Sequence, residues 1–188
     1  MHKFFNIKSD SMKTPYKKPR QLSDPYKDFT KKELDSIIKC ENQNLGYYEY
    51  SCIYQKHLPA GKYSECAYYI PYVLNFIRTN NKDRDEIADI FLHWCCTHAS
   101  ELIKDSLLDE ILINIETVFR DAVEECSSSQ IKNKDSILYP CNAEFISSVI
   151  SSMKGCDIFK IHIHKWLKFD LTKCKLYYKC QKCYVSSR

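Results

Sequence analysis

Glycine is nearly missing from this chain: Gly46, Gly61 and Gly155 are its three glycines in 188 residues. Tight two-residue hairpins draw on glycine where the backbone needs positive φ. A β-sandwich or barrel with many such turns is therefore not expected, and helices are. The same scarcity removes phosphate-cradling loops, since neither GxGxxG nor a GxxxxGK loop occurs. Long apolar runs are missing too. No stretch approaches the ~20 apolar residues that cross a bilayer. The opening MHKFFNIKSDSMKTP holds no apolar run longer than two residues, so it lacks the apolar region of a secretory signal. The expectation is a cytoplasmic protein with no membrane association.

What is abundant is cysteine, with eleven, and tyrosine, with fourteen. Eleven is odd, and without a secretory signal these are read as reduced thiols. Many fall on apolar faces of predicted helices, where a thiol behaves as a small hydrophobe. At 44% hydrophobic and 28% charged residues the composition is that of an ordinary globular domain. A chain of this length buries roughly 70% of its unfolded surface, enough for one core.

Charge is segregated. Residues 1–32 carry nine Lys/Arg against three Asp/Glu, and residues 157–188 carry eight against two. The stretch between them holds eleven against nineteen. Basic ends flank an acidic body, so the ends either pack onto it or meet an external anion.

Residues 1–29 carry Pro15, Pro19 and Pro25 and little periodicity, and read as an extended arm. A helical domain is expected over 30–156. It opens with a capping box, Thr30 and Glu33, ahead of Leu34, Ile37 and Ile38. In the tyrosine-rich connector LGYYEYSCIYQKHLPAGKY, the inner part reads as a short strand or a packed loop. Next comes SECAYYIPYVLNFIRTNN, with Ser64 as N-cap and Pro71 either kinking the helix or opening one near Ile70. Ile87, Ile90, Phe91, Trp94 and Cys95 share a face of the following helix. The cleanest stripe is Leu108, Ile111, Leu112, Ile115, Val118, Phe119 and Ala122, with Glu110, Thr117, Asp121 and Glu124 opposite. A last helix starts at Asn142 and stops before Gly155. In IFKIHIHKWLKF, Phe159, Ile161 and Ile163 alternate with Lys160, His162 and His164, which predicts a short strand. Residues 157–188 form a basic, cysteine-containing segment packed on the domain or trailing from it. The fold class is mainly α: a single-domain bundle of about five helices, antiparallel around 107–123, with room for one small β-hairpin.

Four constellations carry candidate chemistry. Cys180 and Cys183 have the C-x2-C spacing of a zinc knuckle, and Cys174 and His164 are the candidate partners, with His162, Cys156 and Cys141 as further donors. No second matched pair accompanies them, so a reduced tail and a redox pair stay open beside zinc, which is the one candidate cofactor. Lysines interleaved with Trp166, Phe169, Tyr177, Tyr178 and Tyr184 offer phosphate contacts and base stacking. In HWCCTHASE, Cys95, His98 and Glu101 stand three apart, but no glycine-bearing loop supplies an oxyanion hole, so a core cysteine beside a surface histidine is expected. Finally, Glu110, Asp121 and Glu124 with Tyr63 and Tyr68 form a candidate partner-binding set, because acids steer a basic partner and tyrosine suits interfaces.

The pattern LPAGKYSECAYYIPYVLNFI, through Leu58, Pro59, Gly61, Tyr63, Tyr69, Pro71 and Leu74, resembles small bacterial helical proteins of the toxin-immunity type, over about residues 45–125. The resemblance implies a passive protein that caps a basic toxin. The leading expectation is thus a non-catalytic cytoplasmic immunity protein. Its alternative is a small zinc-stapled nucleic-acid binder using the C-terminal segment.

Overall fold

The computed structural model describes residues 12–55, 61–129 and 142–170. Among them run nine α-helices and no strand. Residues 12–29 form no helix. They are pinned at separate points: Tyr16 donates to the Asp105 carboxylate at 2.6 Å, and Leu22 is buried. The Ser23 backbone and hydroxyl donate to Glu65 at 2.6 and 2.9 Å, and Lys18 donates to the Cys40 carbonyl.

Helix α1 (Lys31–Lys39) begins where its capping box places it. The Glu33 carboxylate accepts from the Thr30 N–H, and the Thr30 hydroxyl accepts from the Glu33 N–H. A 3-10 turn at Asn42–Asn44 leads to α2 (Tyr47–Tyr54). The inner part of the tyrosine connector is therefore a helix over Tyr47–Tyr54, neither strand nor loop, with Glu49 accepting from the Gly46 N–H. Its period is invisible in the sequence because Tyr50, Ser51, Cys52, Ile53 and Tyr54 are all buried, leaving no polar face along that run. Helix α3 (Tyr63–Ala67) is capped by Lys62 rather than Ser64, and α4 (Ile70–Thr79) has Pro71 in its first turn, where a missing N–H costs nothing.

The Asn80 side chain accepts from the N–H groups of Lys82 and Asp83, turning the chain into α5 (Arg84–Thr97). His98 divides α5 from α6 (Ala99–Lys104). Ser106 then takes the left-handed conformation, φ 59, while its N–H reaches the Ile103 carbonyl and the Leu107 N–H the Leu102 carbonyl. Those two bonds are a Schellman closure in which a serine stands where glycine is usual. Helices α7 (Leu108–Ser129), α8 (Asn142–Lys154) and α9 (Asp157–Asp170) complete the fold.

The strand expected at 158–164 is the first half of α9. Phe159, Ile163 and Trp166 are buried at helical spacing, whereas Ile161 is 63% exposed. Alternation over five residues mimicked a strand because one apolar residue lies on the outside. About five helices become nine through α2, α9 and the two breaks at Tyr68–Tyr69 and His98.

The hub also differs from expectation. Helix α5 buries Ile87, Ala88, Ile90, Phe91, Leu92, Trp94 and Cys95, more than one face of a helix can show. It packs on α2, α4, α6 and most extensively on α8. The buried stripe of α7, from Leu108 to Ala122, meets α4, α6, α8 and α9 from one side only. Nor is the bundle antiparallel throughout. Arg84 meets Asn142 and Phe145, and further along both helices Asp89 accepts from Ser152, so α5 and α8 run the same way.

Replacing Phe159 with Ala should cost about 3–5 kcal/mol of unfolding free energy. Ile161→Ala should change it by no more than about 0.5 kcal/mol. Urea denaturation of the two variants checks this; equal losses would restore a strand register.

Candidate functional site

The five residues proposed for partner binding separate into two groups. Glu110, Asp121 and Glu124 lie exposed along α7. With Ile113 and Thr117 they stand at i, i+3, i+7, i+11 and i+14, which keeps all five within one narrow arc of the helix. Ile113 is 63% exposed, a large apolar side chain amid carboxylates. Partial burial and the charges of Glu124 and Glu125 together push the Asp121 carboxyl above its usual range. Beyond one edge of the arc, Arg120 grips Glu116 at 2.6 Å within α7.

Tyr63 and Tyr68 serve the interior instead. Tyr63 stacks on Trp94, rings 3° from parallel and 5.6 Å apart, and Tyr16 from the arm meets it edge-on at 5.8 Å. His98 tilts against both Tyr63 and Trp94, at 5.4 and 4.9 Å. Burial first, then the nearby Asp105 carboxylate, raises the Tyr63 phenol; the same causes push Tyr16 up to about 12. Tyr68 is buried edge-on to Tyr69, and its hydroxyl accepts from Asn42 at 2.6 Å. Among the described residues the most exposed tyrosines are Tyr26, Tyr47 and Tyr48, and Tyr47 donates to Glu86. Sequence composition singled out tyrosine without separating stacked rings from exposed ones; only enclosure does that.

Cys95, His98 and Glu101 do not converge. The Cys95 thiol is fully buried, and burial, then the neighbouring Cys96 and Cys156, holds it well above its usual value. His98 turns to the aromatic column, with Nδ1 3.7 Å from the Glu101 carboxylate. Glu101 is lowered chiefly by the Ser100 hydroxyl and its own backbone, with His98 contributing less. Cys66 likewise sits inside, its thiol donating to the Ile53 carbonyl while Tyr54 donates to the Cys66 carbonyl; burial pushes this thiol up to about 12.

Of the zinc candidates, His164 stands exposed on α9 with Nδ1 2.8 Å from the Lys160 carbonyl. Cys174, Cys180 and Cys183 lie outside the described residues, as does most of the lysine–aromatic segment. Among the described residues no three His, Cys, Asp or Glu side chains are placed to hold a metal. No described helix is long and apolar enough to cross a membrane.

No family model matches the chain, and neither a curated protein nor a solved structure matches it. The α7 arc is therefore read on its own chemistry.

Because the folded state disfavours ionised Asp121, its raised pKa subtracts stability as pH climbs through the carboxylate range. Asp121→Asn should be more stable than the parent at neutral pH, with the difference vanishing in acid below the unfolded carboxylate value. Denaturation midpoints across that range check the sign. NMR titration of Asp121 in Glu124→Gln should show its pKa moving down.

Proposed function

We propose that the protein is a non-catalytic binding protein that holds a basic protein partner against the outward arc of α7. The observation carrying this reading is the placement of exposed Ile113 within the row Glu110, Thr117, Asp121 and Glu124. Carboxylates attract and orient a cationic surface over several ångströms, while an apolar contact at the centre adds affinity once water is expelled. From Glu110 to Glu124 the row is about 21 Å long at 1.5 Å per residue. That is a suitable spine for a patch of about 800 Å² per partner, with adjoining helices contributing the rest.

The supporting chemistry is repulsion as well as exposure. Glu124 and Glu125 raise the cost of ionising Asp121, and an incoming cation relieves it. Pairing with Lys or Arg thus stabilises the complex and the carboxylates together. The sharpest form of the reading is a toxin-neutralising immunity protein of the cytoplasm, acting by steric and electrostatic blockade with no turnover. The resemblance over residues 45–125 supports that form.

Tagged protein expressed in its native cells should retain a basic protein that Glu110→Lys, Asp121→Lys and Glu124→Lys together release. Retention should weaken with added salt. Ile113→Ala should cost about tenfold in affinity, the scale of about 1.4 kcal/mol from lost apolar contact. Circular dichroism should show the helices intact. Full retention by the triple variant would remove α7 as the docking face, and a retained partner of acidic character would overturn the electrostatic reading.

A further inference from the structure

The non-helical arm ahead of α1 is seated on the body by a few complementary contacts. Tyr16 meets Tyr63 of α3 edge-on at 5.8 Å and donates to Asp105, at the end of α6, at 2.6 Å. Behind Tyr63 stand Trp94, stacked on it, and His98, tilted against both. Further along, Leu22 is 3% exposed, and Ser23 makes two hydrogen bonds to the Glu65 carboxylate. Met12 and Phe29 pack against the core as well.

The link between this arm and α1 is in a different condition. Asp24 to Lys27 form a turn in which the Lys27 N–H reaches the Asp24 carbonyl at 3.3 Å, with Pro25 and Tyr26 at the corner. Residues Pro25, Tyr26, Lys27 and Asp28 are all exposed. Lys27 takes φ 59, the left-handed region that a Cβ disfavours. Asp24 accepts from the Phe29 N–H through Oδ2 at 2.9 Å, whereas its Oδ1 is buried with no hydrogen-bond partner among the described residues. The turn thus carries backbone strain and an unsatisfied carboxylate oxygen, and straightening it relieves both.

A well-fitted arm on a strained turn favours exchange between copies. When the turn opens, Tyr16 and Leu22 leave their seats and meet water. The identical arm of a second copy restores those contacts, because seat and arm are the same in both chains, while the strain of the turn is not restored. We propose that the seat formed by Tyr63, Trp94, Asp105 and Glu65 takes the arm of a second copy of this chain, so that two copies exchange arms and Tyr16 of each donates to Asp105 of the other. The arm's hydrogen-bond partners lie on α3 and at the ends of α1 and α6, so exchange leaves the acid row of α7 facing outward and stands independently of the docking reading. Closure within one copy has an effective concentration of about a millimolar on its side. Exchange therefore grows with protein concentration, and the turn sets the balance.

Substitution of one residue in both directions tests this. Glycine takes positive φ without a Cβ clash, whereas proline fixes φ near about −65° and has no N–H to offer Asp24. Lys27→Gly should relax the closed turn and raise the dimer dissociation constant about tenfold. Lys27→Pro cannot hold the turn and should lower that constant about tenfold. Sedimentation velocity over a range of concentrations reads both, with circular dichroism showing the helices intact. To locate the arm, full-length Lys27→Pro chains carrying a benzophenone photoprobe in place of the exposed Lys17 side chain are mixed as nitrogen-15-labelled and unlabelled copies. In the dimer fraction the probe should join labelled to unlabelled chains at peptides around Tyr63 or Asp105; in the monomer fraction it should stay within one chain. Lys27→Pro remaining monomeric at millimolar concentration would overturn the proposal. So would equal dissociation constants for the two variants, or a dimer in which the arm crosslinks only within its own chain.

Discussion

Helix α5 carries large apolar side chains on more than one of its faces, so it is stable only when other elements cover it nearly all round. That requirement organises the molecule. Helices α2 and α4 precede it in sequence and close two sides, and α6 continues from its end. The largest remaining surface is covered by α8, which arrives from far along the chain and lies parallel to α5. Even the non-helical arm takes part, since Tyr16 contacts Tyr63, whose ring lies flat on Trp94. The arm is joined to the body by neutral donors on carboxylates, Tyr16 on Asp105 and Ser23 on Glu65, more than by its lysines.

Covering α5 decides what is left for solvent. Helix α7 has one apolar face, and that face is consumed by α4, α8 and α9. Its opposite side is thereby presented outward with its acids in a row and Ile113 among them. The same packing makes Tyr63 and Tyr68 supports for Trp94 and for the turn bearing Asn42. The outward row of acids on α7 is a consequence of that arrangement.

Much of the fold was legible because its signals are local. The capping box at Thr30 and the stripe from Leu108 to Ala122 depend on residues a few positions apart and have their predicted places in the structure, and Pro71 opens a helix, one of the two readings its position allowed. The misreadings share a cause. A clean two-sided stripe marks a helix with solvent on one side, so the clearest signal named a wall, α7, and not the hub. The enclosed helices, α5 and α2, have blurred periods because enclosure removes the polar face that would reveal them. In α9 a single outward isoleucine, Ile161, turned a helical pattern into an apparent alternation.

Composition and local spacing alone determined that this chain is helical, where several of its helices start, and which side of α7 carries the acids. Those properties follow from backbone capping and from side chains three or four residues apart, so no distant contact is needed to set them. Tertiary structure alone decided which of the described tyrosines are surface and which are core, that α8 runs alongside α5, and that His98 turns to Tyr63 and Trp94. These are relations between segments separated by tens of residues. They arise from the shared need to exclude water from α5, which no short stretch of sequence expresses.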